Sequence, residues 1–156
     1  MADKKMQAQL VYQTICAALD NRNWKYNKNP EKLMVSFGVK GEDLPLEFVI
    51  LADEDRQLIR VLSPLPFKMS EDKRIEGAVA ACAATFGMAD GGFDYDVQTG
   101  GIVFRMTACY RESLIGENLI QYLISCACTM VDKYNDKFLA LSKGFMSLED
   151  FLQEKQ

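Results

Sequence analysis

The sequence predicts one α+β domain, with helices packed on an antiparallel sheet in the order α-β-β-β-α-β-β-α and a short helical tail. Three observations predict it. Apolar residues recur at helical spacing near both ends of the chain and once in its middle. Between these stretches lie runs that alternate apolar with polar residues across short polar connections, the pattern of antiparallel neighbours. Finally, 156 residues with 49% apolar and 26% charged side chains suit a single folded domain over residues 1–156, without repeat or linker.

Residues 3–22 read as the first helix, with Met6, Leu10, Ile15, Ala18 and Leu19 as its buried stripe. Asn21, Asn23 and the stretch from Asn27 to Pro30 break the pattern, and Trp24 and Tyr26 are expected to fold back onto the core. Leu33, Val35, Phe37 and Val39 alternate with smaller or polar residues in a first strand. Residues 46–52 and 57–63 follow as the second and third, and Ser63-Pro64-Leu65-Pro66 is expected to end the meander because proline donates nothing to a ladder.

Ser70 reads as the N-cap of a second helix that runs to about Phe86 and buries Ile75, Val79, Cys82 and Phe86. Its alanines would allow close packing, and Gly87 would cap its end. A hairpin follows, with Phe93, Tyr95 and Val97 on one strand and Ile102, Phe104 and Met106 on the other. Residues 114–142 read as one helix of roughly 43 Å at 1.5 Å per residue. A domain of this size has a radius of gyration near 15 Å, so the helix either bends or spans the molecule and reaches a partner. Ser147-x-x-Asp150 resembles a capping box opening the last short helix.

Composition narrows the chemistry. The chain has no histidine, which removes Ser-His-Asp and Cys-His nucleophile pairs, His-containing zinc sites and histidine pH switching. Acids outnumber bases by 22 to 18 and no basic cluster stands out, which argues against nucleic acid as a partner. No apolar run approaches the roughly 18 residues that span a bilayer, and the first residues lack the apolar segment of a signal peptide. The expectation is a cytoplasmic protein with no membrane partner.

Five cysteines, an odd number without a CxxC, are expected to be buried free thiols, with Cys82 and Cys109 kept inert by apolar neighbours. Cys126 and Cys128 point about 200° apart on a helix and cannot share a metal. Counting from Asp94, the sixth and twelfth places of a calcium loop hold Thr99 and Arg105, so that pattern fails. Asp53-Glu54-Asp55 reads as a solvated hairpin tip. No phosphate-binding glycine motif is present. No catalytic, cofactor-binding or metal-binding residue is therefore expected, and no cofactor.

The central hairpin carries the functional expectation. With an even connection between its strands, Phe48, Ile50, Ile59 and Val61 share one face, and Val49, Leu51, Leu58 and Leu62 share the other. Both faces are apolar. The helices can cover only one, so the second is expected to be a dimer or partner surface, unless the last helix or the N-terminal segment covers it.

Several strings resemble those of the YbjN-type family of bacterial sensory-transduction regulators, which share a fold with the chaperones of type III secretion. They are Trp24-Lys25-Tyr26 after the first helix, the Ser63-Pro64-Leu65-Pro66 exit, and Ser70 to Arg74 opening an alanine-rich helix. The last are Gly92-Phe93-Asp94-Tyr95-Asp96 and Gly101-Ile102-Val103-Phe104-Arg105. The resemblance spans about residues 5–152 and departs from the family at Gly87-Met88-Ala89, where such proteins often carry Asn. It implies a secretion-chaperone-like fold, a homodimer and a binding or regulatory role without catalytic residues. The sequence thus points to a non-enzymatic protein-binding module that pairs with itself. The alternative is a small-ligand-binding domain or small enzyme using a carboxylate or Cys in a groove between sheet and helices.

Overall fold

The computed structural model describes residues 2–154. Helix α1 spans Ala2–Asn21, and strands β1 (Asn27–Asn29), β2 (Met34–Lys40), β3 (Pro45–Asp53) and β4 (Leu58–Lys68) follow. Helix α2 is Arg74–Thr85, the second hairpin is β5 (Gly92–Tyr95) with β6 (Gly101–Cys109), and helices α3 (Glu117–Ser142) and α4 (Leu148–Gln153) close the described chain. The six strands form one antiparallel sheet in the order β1-β2-β3-β4-β6-β5. Helices α1 to α4 bury their apolar residues in one core with Val35, Phe37, Phe48, Ile50, Ile59, Val61, Phe104 and Met106 of the sheet.

Strand β1 was not expected. The polar run Asn27-Lys28-Asn29 has no alternation to reveal it, and it is extended because its backbone pairs with Met34–Ser36 of β2. Trp24 and Tyr26 fold back as expected: the Trp24 ring lies 5.4 Å from that of Phe37, and the Tyr26 hydroxyl donates to Asp20 Oδ1 at 2.8 Å.

Strand β4 also runs through both prolines. Its pairing with β3 runs from Asp53↔Leu58 to Val49↔Leu62, so Pro64 and Pro66 stand where no β3 partner needs an N–H, while β6 still pairs at Pro64↔Val103 and again at Lys68↔Gly101. Where the two strands part, the Ser63 hydroxyl donates to the Glu47 carbonyl at 2.7 Å.

Two helices are rotated from the sequence expectation. Helix α1 buries Ala8, Val11, Tyr12, Ile15, Cys16, Ala18 and Leu19 and exposes Met6 and Leu10. Helix α2 is turned over: it buries Gly77, Ala80, Ala81 and Ala84 and presents Ile75, Val79, Cys82 and Phe86 to solvent. The reason is spatial. A Cβ on Gly77 would lie 2.7 Å from both Met69 Cγ and the Tyr95 hydroxyl, so only the small-residue face can approach the sheet this closely.

Ser70 does not cap α2 with its side chain. A single 3₁₀ turn, Glu71–Lys73, intervenes, and the Ser70 hydroxyl instead donates to the Ser142 carbonyl at 3.0 Å. That bond settles the length of the last helix. Helix α3 holds 26 residues, roughly 39 Å at 1.5 Å per residue. Its end is received by its own chain: Ser70 N donates to Ser142 Oγ at 2.9 Å, and Phe151 of α4 packs 5.1 Å from Phe138. Ser147 accepts from Asp150 N at 3.1 Å, which opens α4 as the sequence indicates. Asp132 Oδ1 accepts from Glu42 N at 2.8 Å and ties the β2–β3 connection to α3.

Candidate protein-binding surfaces

Pairing fixes the two faces of the hairpin. Val49 stands opposite Leu62, Leu51 opposite Arg60, and Asp53 opposite Leu58, so Val49, Leu51, Leu58 and Leu62 share the face turned away from the helices. Met34 joins them beside Leu51, and Cys109 beside Leu58. Each of the four is half-buried, and none packs against the core. Their partial cover comes from neighbours in the same sheet layer.

Charge stands within and beside this band: Arg60 lies opposite Leu51, between Leu58 and Leu62, and Arg105 lies opposite Leu62. Arg105 pairs with Asp94 through Nε at 2.6 Å and Nη2 at 3.0 Å, and Arg60 Nη1 lies 3.9 Å from Asp53 Oδ2. Apolar side chains with arginine among them are the composition of a protein interface. Sequence reasoning finds the band because alternation on both sides of an even connection leaves no other register.

Asp53 has a structural task. It accepts from Arg56 N at 3.0 Å and from Arg56 Nη1 at 3.3 Å, and the backbone bond above all holds its carboxyl below the usual range, with the Arg56 and Arg60 charges adding to it. A depressed folded-state value means that the stabilisation is complete above the unfolded pKa, near 4, and is lost as pH falls through the folded one. Asp53→Asn is expected to lower stability by about 1–2 kcal/mol at neutral pH and to flatten the acid limb below pH of about 4, as urea denaturation across pH measures. Asp96 likewise serves its own turn, accepting from Gln98 N at 2.9 Å and Thr99 Oγ1 at 3.0 Å.

The second surface is the outward stripe of α2. Ile75 is 74% exposed, Val79 42% and Phe86 77%, and Cys82 is exposed between them. Sequence reasoning sees this stripe but assigns it to the core, because periodicity shows two faces without saying which is inward. The signal that decides is Gly77 among alanines, small residues that mark a close approach.

One groove, of about 360 Å³, lies between the end of α2 and the sheet, lined by Thr85, Asp90, Asp94, Arg105 and Thr107. A cavity of about 530 Å³ separates α1 from the segment entering α3; Leu10, Val11, Thr14, Leu114 and Glu117 line it, with Glu117 bonded to the Asn21 amide. One of about 220 Å³ lies between the end of α2 and α3, where Tyr122 donates to Asp90 near Cys126. Burial, with the Asp90 charge, pushes the Cys126 thiol up, and burial takes Cys128 to about 11, so both stay protonated at neutral pH.

The thiols differ from the sequence expectation. Only Cys16 is buried, Cys126 and Cys128 are half-buried, and Cys82 and Cys109 are exposed because each sits on an outward face. Burial also holds the Tyr110 hydroxyl at about 12, where it donates to the Asp53 carbonyl at 2.9 Å. Among the described residues no three His, Cys, Asp or Glu side chains converge as a cation site, and no helix is long and apolar enough to cross a membrane.

No model of a known protein family matches the chain, and no curated protein matches it in sequence. Among solved structures, it is similar to a chain of the HopA1–SchA chaperone–effector complex, with a TM-score of 0.55 and 7% identity. The likeness covers 84% of this chain and 97% of that one. At such identity the likeness is one of fold, the α+β architecture of helices packed on an antiparallel sheet.

Proposed function

We propose that the chain is a non-enzymatic protein-binding module of regulatory or chaperone-like type. It works as a homodimer in the cytoplasm and binds a protein partner on the sheet face carrying Val49, Leu51, Leu58 and Leu62. One observation carries the reading: that face carries apolar side chains with Arg60 among them, and is packed by none of the chain's own core. A fold shared with a chain of a chaperone–effector complex supports a protein as the partner. Membership of the YbjN-type family belongs to the same reading. Its support is the place of the resembling strings, with Trp24-Lys25-Tyr26 packing behind α1 and Ser70 to Arg74 leading into α2.

The test is affinity capture from the native host with mass spectrometry, wild type beside Leu51→Asp. A carboxylate at the centre of the band must be desolvated on binding, so the partner's recovery is expected to fall roughly tenfold or more. The variant's helical circular dichroism should be unchanged, because Leu51 lies outside the core. A partner retained by Leu51→Asp and by Leu62→Asp alike would remove this face from the reading.

A further inference from the structure

The cavity of about 220 Å³ between the end of α2 and α3 is lined by three sulfur side chains, Met88, Cys126 and Met130. Cys126 and Met130 stand four residues apart on α3, one turn along and about 40° around the helix, which puts their Cβ atoms roughly 6 Å apart. Helical side chains lean toward the N-terminus, so Met130 reaches back toward Cys126. Met88 belongs to the other wall, where its N–H donates to the Thr85 carbonyl at 3.1 Å and closes the turn after α2. All three are half-buried against the core, within reach of an ion from solvent.

The rest of the lining offers little to a harder ion. The chain has no histidine. Asp90 accepts from the Tyr122 hydroxyl, and Lys133 holds its ammonium over the Tyr134 ring, 5.3 Å from the centroid. What remains is one thiol and two thioethers. Soft ligands of this kind select Cu(I), whereas carboxylates and carbonyls suit magnesium, calcium and manganese.

Charge points the same way. Asp90 and Lys133 offset each other in the net charge of the lining. A monovalent ion on one thiolate is then neutral, which a mostly apolar cavity accepts at little cost. A divalent ion on the same ligands would bury an uncompensated positive charge.

We propose that Met88, Cys126 and Met130 form a binding site for one Cu(I) ion. On binding, the Cys126 thiol gives its proton to water as the Cu–Sγ bond forms, and each thioether donates a lone pair. Copper stays monovalent throughout, so no oxidant or reductant takes part. Burial and the Asp90 charge hold the free thiol protonated, so proton release accompanies binding. The ion would tie the end of α2 to α3, and the domain should melt at a higher temperature with it than without it.

The test is anaerobic titration of the reduced full chain with Cu(I) in competition with a chromogenic chelator. A Cys82→Ser/Cys109→Ser background removes the two exposed thiols. The expected result is one Cu(I) per chain, with ultraviolet sulfur-to-copper charge transfer and a raised Tm. Cys126→Ser should abolish this binding. Met88→Leu and Met130→Leu, which keep the side-chain volume, should each weaken it roughly tenfold or more. Cys128→Ser, about 200° around α3 from Cys126, should bind as the background does.

Full affinity in Cys126→Ser, or in both leucine variants, would overturn the site. So would zinc binding as tightly as Cu(I), or loss of binding in Cys128→Ser. Capture of a protein partner through Leu51 is independent of each of these results, so the two readings fail separately.

Discussion

Phe138→Ala is expected to lower the stability of the domain by about 3–5 kcal/mol, the range for truncating a large buried aromatic. For a chain of this length the fall in Tm is about 10–15 °C. The residue is fully buried in the inner face of α3, with ring centroids 5.1 Å from Phe93 of β5, 5.1 Å from Phe151 of α4 and 6.4 Å from Tyr134. Phe93 in turn meets Phe104 of β6 at 5.1 Å. These rings join the second hairpin, the long helix and the last short helix, which lie far apart in sequence.

Removing the central ring strips ring contacts from three neighbours at once, and their backbones, fixed by ladder and helix bonds, cannot collapse into the space. Helix α4 has six residues and little stability of its own, so it should lose amide-exchange protection first. Phe138→Leu, which keeps much of the volume, is expected to cost about 1 kcal/mol. Equal losses for Ala and Leu would mean that the cluster does not hold these elements together. Urea denaturation and hydrogen exchange make the comparison.

The inward places of Phe93 and Phe104 were legible in the sequence, since both stand at alternating positions of the second hairpin. So was the register that places Val49, Leu51, Leu58 and Leu62 on one face, because a slip of one residue would exchange the faces of the strand. What was not legible has a common cause. Where a segment offers two plausible faces, the larger side chains suggest the inside, but the space available decides.

In α2 the buried face is made of glycine and alanine because the sheet is near, and Ile75, Val79 and Cys82 were displaced outward. Met6 and Leu10 of α1 changed places with Ala8, Val11 and Tyr12 in a smaller version of the same error. Strand β1 and the continuation of β4 through Pro64 depend on which backbone lies alongside, and no single-chain pattern encodes that. The candidate site was therefore half legible: the sheet face followed from alternation, whereas the α2 stripe needed the packing distance at Gly77.

A second expected result uses a glycine contrast that the same packing creates. Gly100 and Gly87 both have positive φ, 78° and 95°. A methyl group at Gly87 would meet nothing within 4 Å, so Gly87→Ala carries only the strain of a left-handed alanine, about 1 kcal/mol. A methyl group at Gly100 would press on the Met69 carbonyl oxygen and lie 3.0 Å from Met69 N and 2.9 Å from Arg74 Nε. Those neighbours cannot yield cheaply. Met69 N donates to the Gly100 carbonyl at 2.8 Å, Gly100 N donates to the Asp96 carbonyl at 2.7 Å, and the Arg74 guanidinium reaches the Met69 and Gln98 carbonyls.

The β5–β6 turn is thereby docked on the segment that starts α2. Gly100→Ala should add the loss of that docking to the backbone strain, for a total on the order of 3 kcal/mol. Equal costs for the two substitutions would show that the turn is not held against Met69. Thermal denaturation of the two variants side by side measures the difference.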